Sequence, residues 1–283
     1  MSASPSPRPR SAIITRLRAA GCVFAEDEAR LLISAARTPA DLAAMVDRRA
    51  AGVPLEHILG WAEFCGLRIA VDPGVFVPRR RTEFLVRQAA ALARPAGSPD
   101  GQALARPRTV VVDLCCGSGA VGAALVAALD RVELYAVDLD PAAVRCARRN
   151  IAAADGQVYE GDLYQPLPAT LRGRVDILVA NAPYVPTEAV GLLPPEARIH
   201  EPRVALDGGA DGLDVLRRVT TAARPWLAPG GHLLVETSER QAPRLVETVA
   251  RNGLIPQVAR SDELIATVVI GTGPAGGHAS HTA

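Results

Sequence analysis

The run Val110-Val111-Val112-Asp113 breaks into Leu114-Cys115-Cys116-Gly117-Ser118-Gly119 and resumes as an apolar helical pattern over residues 120–129. A β-branched strand that turns through glycines straight into a helix is the opening unit of a parallel sheet. The alternation then continues. Strands are expected at 133–137, 158–159, 175–180, 232–236 and 266–270, and helices at 141–153, 213–227 and 241–252. Because each strand is followed by a crossover, the expected fold class is α/β: an open, mostly parallel sheet with helices on both faces.

The first part of the chain follows a different pattern. Apolar residues recur at helical spacing over residues 11–20 and 25–36. Thr38-Pro39-Ala40-Asp41 reads as a capped helix start, with Gly52 and Pro54 closing that helix near Ala51. From Glu63 to Pro78 the period becomes two, which suggests a β-hairpin with Asp72-Pro73-Gly74 as its turn. A helix is expected at 82–93, and residues 94–108, rich in Pro, Gly and Ala, read as a surface loop. The domain reading is therefore a helical domain over 1–62, a hairpin linker over 63–80, an α/β domain over 81–271 and a disordered tail over 272–283. Such a helical domain carries no chemical motif, and its expected task is to dock a partner or cover the site.

Charge is almost balanced, with 31 basic and 30 acidic residues. No global field then recruits nucleic acid or an anionic membrane, and no direct nucleic-acid or membrane partner is expected. The five cysteines show neither disulfide nor metal-pair spacing, so they are read as reduced thiols, with no metal site. With no signal-peptide pattern and no apolar run of membrane-spanning length, the protein is expected to be cytoplasmic, and a monomer is expected.

In parallel sheets ligands bind beyond the carboxyl ends of the strands. The loop Asp113–Gly119 lies there, but it has no third glycine at dinucleotide spacing and no Gly-Lys-Ser/Thr phosphate loop. Alone it is equally a tight turn. The second strand ends in Val137-Asp138-Leu139-Asp140, 25 residues after Asp113. Asp138 is assigned to the hydroxyls of a ribose, while Asp140, followed by Pro141, is assigned as a helix cap. Asp162, in Gly161-Asp162-Leu163, is placed to reach the exocyclic amine of an adenine; its alternative is an ordinary turn residue.

The most specific feature is Asn181-Ala182-Pro183-Tyr184 at the end of the fourth strand. The Asn181 amide oxygen and the Ala182 carbonyl can accept both hydrogens of a substrate NH2 group. Pro183 restricts Ala182 and so fixes where that carbonyl points, and Tyr184 offers a flat face to a planar group. Two acceptors aim the nitrogen lone pair at an electrophile, with no metal, covalent intermediate or strong base required.

These segments resemble the HemK-type family of protein glutamine N5-methyltransferases, which modify the Gln of a Gly-Gly-Gln motif in peptide chain release factors. The resemblance spans roughly residues 50–255. It includes Pro73-Gly74-Val75-Phe76-Val77-Pro78-Arg79 with Thr82-Glu83, the glycine loop, the Asn-x-Pro-Tyr site, Gly208-Gly209 with Asp211-Gly212-Leu213, and the stretch leading to Glu236 and Gln241. It implies a class I, Rossmann-like methyltransferase using S-adenosyl-L-methionine. Asp113, Cys115, Gly117, Gly119, Asp138, Asp162 and Asn181 are expected at the cofactor. Asn181, Ala182, Pro183 and Tyr184 are expected to be catalytic, and Pro78, Arg79 and Glu83 to stand at the substrate mouth. Arg79 and Glu83 could instead form an ion pair at the helix start.

The chain departs from the family pattern in three places. Ala182 replaces the first Pro of Asn-Pro-Pro-Tyr, Arg80-Arg81 replaces a Pro-Glu pair, and the Gly-x-x-Arg ending is missing. N-methylation of a nucleobase amine is the alternative reaction, and a non-catalytic interaction protein is the alternative class.

Overall fold

The computed structural model describes residues 10–93 and 108–275. The loop expected at 94–108 lies outside these residues apart from Arg108; of the tail expected at 272–283, Thr272 instead ends the last strand, paired with His232, and residues 276–283 lie outside.

The chain opens with four helices, α1 (Arg10–Ala19), α2 (Ala25–Ala35), α3 (Pro39–Ala50) and α4 (Leu55–Leu59). The first three follow the apolar spacing, and Thr38 caps α3 by accepting the Asp41 N–H at 3.0 Å. Helix α3 ends at Ala50, ahead of Gly52 and Pro54 as expected, and Pro54 then leads into the short α4, as proline does ahead of a first turn. Ile13, Leu17, Ala29, Leu32 and Val46 form a core of their own.

A buried ion pair ties these helices to the rest of the chain. Arg49 clamps both carboxylate oxygens of Glu28 (2.6 and 3.1 Å) and reaches Glu196 at 2.6 Å. Arg49→Ala would leave Glu28 buried without its partner, and unfolding in urea should report a loss of about 3 kcal/mol. A loss below about 1 kcal/mol, the range of a surface pair, would contradict this reading.

The hairpin is β1 (Trp61–Phe64) with β2 (Leu67–Ala70), paired antiparallel. Its turn is Cys65-Gly66 and not Asp72-Pro73-Gly74. A two-residue hairpin turn of this type needs positive φ at both positions, and Cys65 and Gly66 stand at 49° and 74°. Proline cannot reach such a φ, so Asp72-Pro73-Gly74 makes a separate turn after the hairpin, where the Val75 N–H donates to the Asp72 carbonyl at 3.1 Å.

After α5 (Glu83–Ala93) come β3 (Thr109–Leu114), α6 (Ala120–Ala128), β4 (Val132–Asp138), α7 (Pro141–Ile151), β5 (Gln157–Glu160) and β6 (Val175–Ala180). The chain continues through α8 (Pro195–His200), α9 (Asp214–Ala223), β7 (Leu227–Thr237), α10 (Ala242–Arg251), β8 (Ile255–Ser261) and β9 (Ala266–Thr272). The sheet order is β5-β4-β3-β6-β7-β9-β8. Pairing is parallel from β5 to β7 and antiparallel for β9 against β7 and β8.

Strand alternation fills both faces. Val110, Val112, Leu178 and Leu233 pack with α9 and α10, while Val111, Ile177, Val179 and Leu234 pack with α5, α6 and α7. Strands β4 and β6 leave β3 in opposite directions, which opens a crevice at its carboxyl end. Ala62, Val71, Val75 and Val77 of the hairpin arm pack on Ala143 and Cys146 of α7, so the arm lies against the sheet domain. No helix among the described residues is long and apolar enough to cross a membrane.

Candidate active site

The crevice beyond β3 holds a cavity lined by Asp113, Cys115, Gly117, Asp138, Asp162 and Asn181, with Phe76 and Pro78 on the hairpin-arm side. The glycine loop is held from two directions. The Gly117 N–H donates to Asp138 Oδ2 at 2.7 Å, and Asn150 of α7 donates to the carbonyls of Ser118 (2.8 Å) and Ala70 (2.9 Å). Cys115 and Gly117 have φ of 56° and 55°, which brings the loop backbone over the cavity.

Asp138 Oδ1 also accepts the Asp140 N–H at 2.9 Å, and burial pushes its carboxyl above the usual range. Asp140 caps α7 through the Ala142 N–H at 2.8 Å, as its place before Pro141 suggests. Gly119 is not part of the lining. A Cβ there would sit 3.1 Å from Ala147 and Ile151, so its glycine serves the close packing of α6 on α7. Asp162 lines the cavity with Oδ2 held by Arg218 at 2.5 Å. Leu139, 54% exposed, and Leu163 offer apolar surface to a planar ring.

Asp113 is buried and accepts the Gly122 N–H at 2.9 Å. Burial, with a smaller contribution from the Asp138 charge, raises its pKa to about 7. Below the unfolded aspartate pKa both states hold the proton. Between roughly pH 4 and 7 only the folded chain does, so this group makes stability fall as pH rises through that window. Asp113→Asn should flatten the slope and raise stability at pH 8 by about 4 kcal/mol, as read from melts at pH 5 and 8. Parallel pH profiles for variant and wild type would refute it.

At the end of β6, Asn181 Nδ2 donates to the buried Thr82 Oγ1 at 3.3 Å, which leaves Asn181 Oδ1 without a protein partner among the described residues. Asn181 and Pro183 line both the first cavity and a second one, which Ala182, Tyr184, Arg79 and Arg81 also border. The turn is fixed from behind. Gln241 Nε2 donates to the Tyr184 carbonyl at 2.9 Å, the Val185 N–H to the Leu206 carbonyl at 3.1 Å and the Gly208 N–H to the Val185 carbonyl at 2.8 Å. The Tyr184 hydroxyl donates to Glu236 Oε1 at 3.0 Å, and burial with the Glu236 charge raises the phenol pKa well above normal.

Pro78 lines the first cavity and Arg79 the second, but Glu83 lines neither. Glu83 accepts the Cys65 N–H at 3.0 Å and so anchors the hairpin turn to α5. Nor do Arg79 and Glu83 pair. Arg79 Nη2 reaches both oxygens of Glu201 at 2.6 Å, and Glu201, its side chain 1% exposed, also accepts the Val77 N–H. Thr82 is legible only as part of the Thr82-Glu83 motif, with no role assigned, while Glu201, Asn150 and Arg218 are supporting residues that sequence reading misses. Each is an isolated polar residue with a long-range partner and no local pattern.

Residues 102–207 match the model of the methyltransferase small domain family. The chain is 40% identical over 220 residues to the release factor glutamine methyltransferase of Geobacter sulfurreducens, covering 76% of this chain and 72% of that protein. To the enzyme of that name from Mycolicibacterium smegmatis it is 37% identical over 242 residues, covering 84% and 82%. Among solved structures, a methyltransferase from Pyrococcus furiosus aligns with a TM-score of 0.52 at 15% identity, over 74% of this chain and 90% of that one. The 16S rRNA N2 G1207 methyltransferase of T. thermophilus, in complex with AdoMet and guanosine, aligns with a TM-score of 0.52 at 22% identity, over 75% and 49%. These two share the fold, a class I methyltransferase sheet flanked by helices. Identity near 40% over most of both chains shows more: this chain belongs to the family of release factor glutamine methyltransferases.

Proposed function

We propose that the turn Asn181-Ala182-Pro183-Tyr184 presents the side-chain amide of a glutamine, in the Gly-Gly-Gln segment of a peptide chain release factor, for N5-methylation. The observation that carries this reading is the position of Asn181. It stands where the two cavities meet, with its amide nitrogen committed to Thr82 and its oxygen available as an acceptor.

The first cavity fits S-adenosyl-L-methionine. Asp138 takes the ribose hydroxyls, Asp162 Oδ1 the adenine amine, and Leu139 and Leu163 the faces of the ring, while Cys115 and Gly117 bring backbone against the cofactor. Asp113 places a carboxyl group beneath the loop, and its ionised form would suit a cationic ligand. Bound there, the cofactor would supply a methyl group as an electrophile on a sulfonium, and the proton lost from the methylated amide nitrogen would pass to solvent. Asn181 Oδ1 and the Ala182 carbonyl orient the nitrogen, and the Tyr184 ring covers the amide plane. An amide is a weak nucleophile, so positioning and exclusion of water carry the rate. Pro54 and Glu56 of the helical part, with Glu196 of α8, wall the second cavity, which supports a docking role for the N-terminal helices.

Incubation with methyl-labelled cofactor and purified release factor should place label on the motif glutamine, and a Gln→Ala release factor should take none. Label on duplex or single-stranded nucleic acid with an unlabelled release factor would overturn the assignment.

A further inference from the structure

The cavities continue in series along the carboxyl edge of the sheet. Beyond the one bordered by Asn181, a third of about 400 Å³ lies at the ends of β7 and β9 and shares Arg81 and Tyr184 with the second. Glu236 lines it and is 2% exposed. Its Oε1 is engaged by the Tyr184 hydroxyl and by Arg81 Nε at 3.2 Å, but Oε2 is buried without a hydrogen-bond partner among the described residues. A dry carboxylate oxygen with no donor is costly, and such groups call for a specific account.

Arg81 stands beside it, half-exposed, with its guanidinium 5.8 Å from the Tyr184 ring centre. Only Nε is hydrogen-bonded within the described residues, which leaves the terminal nitrogens as donors. A buried acceptor next to free donors is the complement of one peptide group, which offers an N–H and a C=O.

We propose that this third cavity is a second substrate subsite, in which Glu236 Oε2 accepts the main-chain N–H and Arg81 donates to the main-chain carbonyl of the segment flanking the methylated glutamine. The proposal rests on the glutamine reading. Tyr184 borders both cavities, so a chain whose glutamine side chain enters one can cross to the other within one or two residues, at about 3.4 Å each.

Steady-state methylation of release factor by Glu236→Gln and Arg81→Ala tests it. The glutamine variant keeps an oxygen toward Tyr184 and Arg81 and puts an NH2 group in place of Oε2. Its KM for release factor should rise roughly tenfold or more. kcat should stay within about threefold and cofactor affinity should not change, because the contact is made equally in ground and transition states. The KM effect should persist in a Tyr184→Phe background, where Glu236 can no longer act through the phenol. A fall in kcat alone, an effect that vanishes in that background, or unchanged kinetics each overturn the subsite. Should Glu236→Gln not fold, Arg81→Ala, altered at a half-exposed side chain, reads the same KM. If wild type labels no release factor, the glutamine reading fails and the subsite falls with it. If wild type labels it and the variants match wild type, only the subsite fails.

Discussion

Asn181→Ala is expected to lower kcat for release-factor methylation by roughly a thousandfold or more, while affinity for S-adenosyl-L-methionine changes by less than about fivefold. The side chain reaches the first cavity but bonds only to Thr82 among the described residues, so most of the proposed cofactor contacts should survive its loss. What disappears is one of two acceptors that hold the amide nitrogen in line with the methyl group. Asn181→Asp keeps an acceptor yet loses the donor to Thr82, so its rate should fall between the alanine variant and wild type. Thr82→Val, which frees the amide to rotate, should cost about tenfold. Single-turnover rates and calorimetric cofactor binding separate the two effects. Normal turnover by the alanine variant would remove Asn181 from the reaction.

The parts of the fold that were legible are those where one physical rule dominates. Strands β3 and β6 are buried on both faces and read as unbroken apolar runs, and Thr38 and Asp140 announce their helices by capping chemistry. Strand β8, Ile-Pro-Gln-Val-Ala-Arg-Ser, was not legible. It is an edge strand, half exposed, with a proline and an arginine that carry no core-facing pattern. The six-residue α8 is too short to show a period, although its Glu196 joins the N-terminal helices to the second cavity. Strand β7 begins at Leu227, ahead of the expected start, and Ala228-Pro229-Gly230-Gly231 bulge between the Val175–Leu227 and Ile177–His232 pairs, which interrupts the strand pattern.

The same division runs through the site. The proposed cofactor groups sit at strand ends in fixed order, so Asp113, Asp138, Asp162 and Asn181 could be found by counting, and the structure gathers them around one cavity. Gly119 lies in the same loop but answers to helix packing, a distinction that spacing cannot make. Glu83 is adjacent to Thr82, which does reach Asn181, but the helical turn directs it to the hairpin instead. Glu201 and Glu236 bond to partners 122 and 52 residues away, Arg79 and Tyr184. Contacts of that range leave no periodic trace in a single sequence.

Gly212→Ala is expected to destabilise the protein by about 4 kcal/mol and to lower kcat by roughly a hundredfold, although Gly212 lines none of the cavities described above. Its φ of +76° already disfavours any side chain. A Cβ at this position would also overlap the Tyr184 carbonyl oxygen and Gln241 Nε2, which are the two ends of the hydrogen bond that fixes the reactive turn from behind. One of those atoms is backbone, so relief requires moving Tyr184 itself. Gly208 presses on the same turn: a Cβ there would stand 2.7 Å from the Pro183 carbonyl oxygen. In the Gly-Gly-x-Asp-Gly-Leu segment, Gly208 and Gly212 are therefore glycine because their main chain is the mould for Asn181–Tyr184, while Gly209, at φ +91°, faces the Asp214 side chain. Gly74→Ala is the control: its φ is +80°, yet a Cβ there meets nothing within 4 Å. It should cost about 1 kcal/mol from backbone conformation alone and leave kcat near wild type. Urea melts and kcat for both variants decide the matter. Equal effects would show that backbone conformation explains Gly212 and that the mould does not.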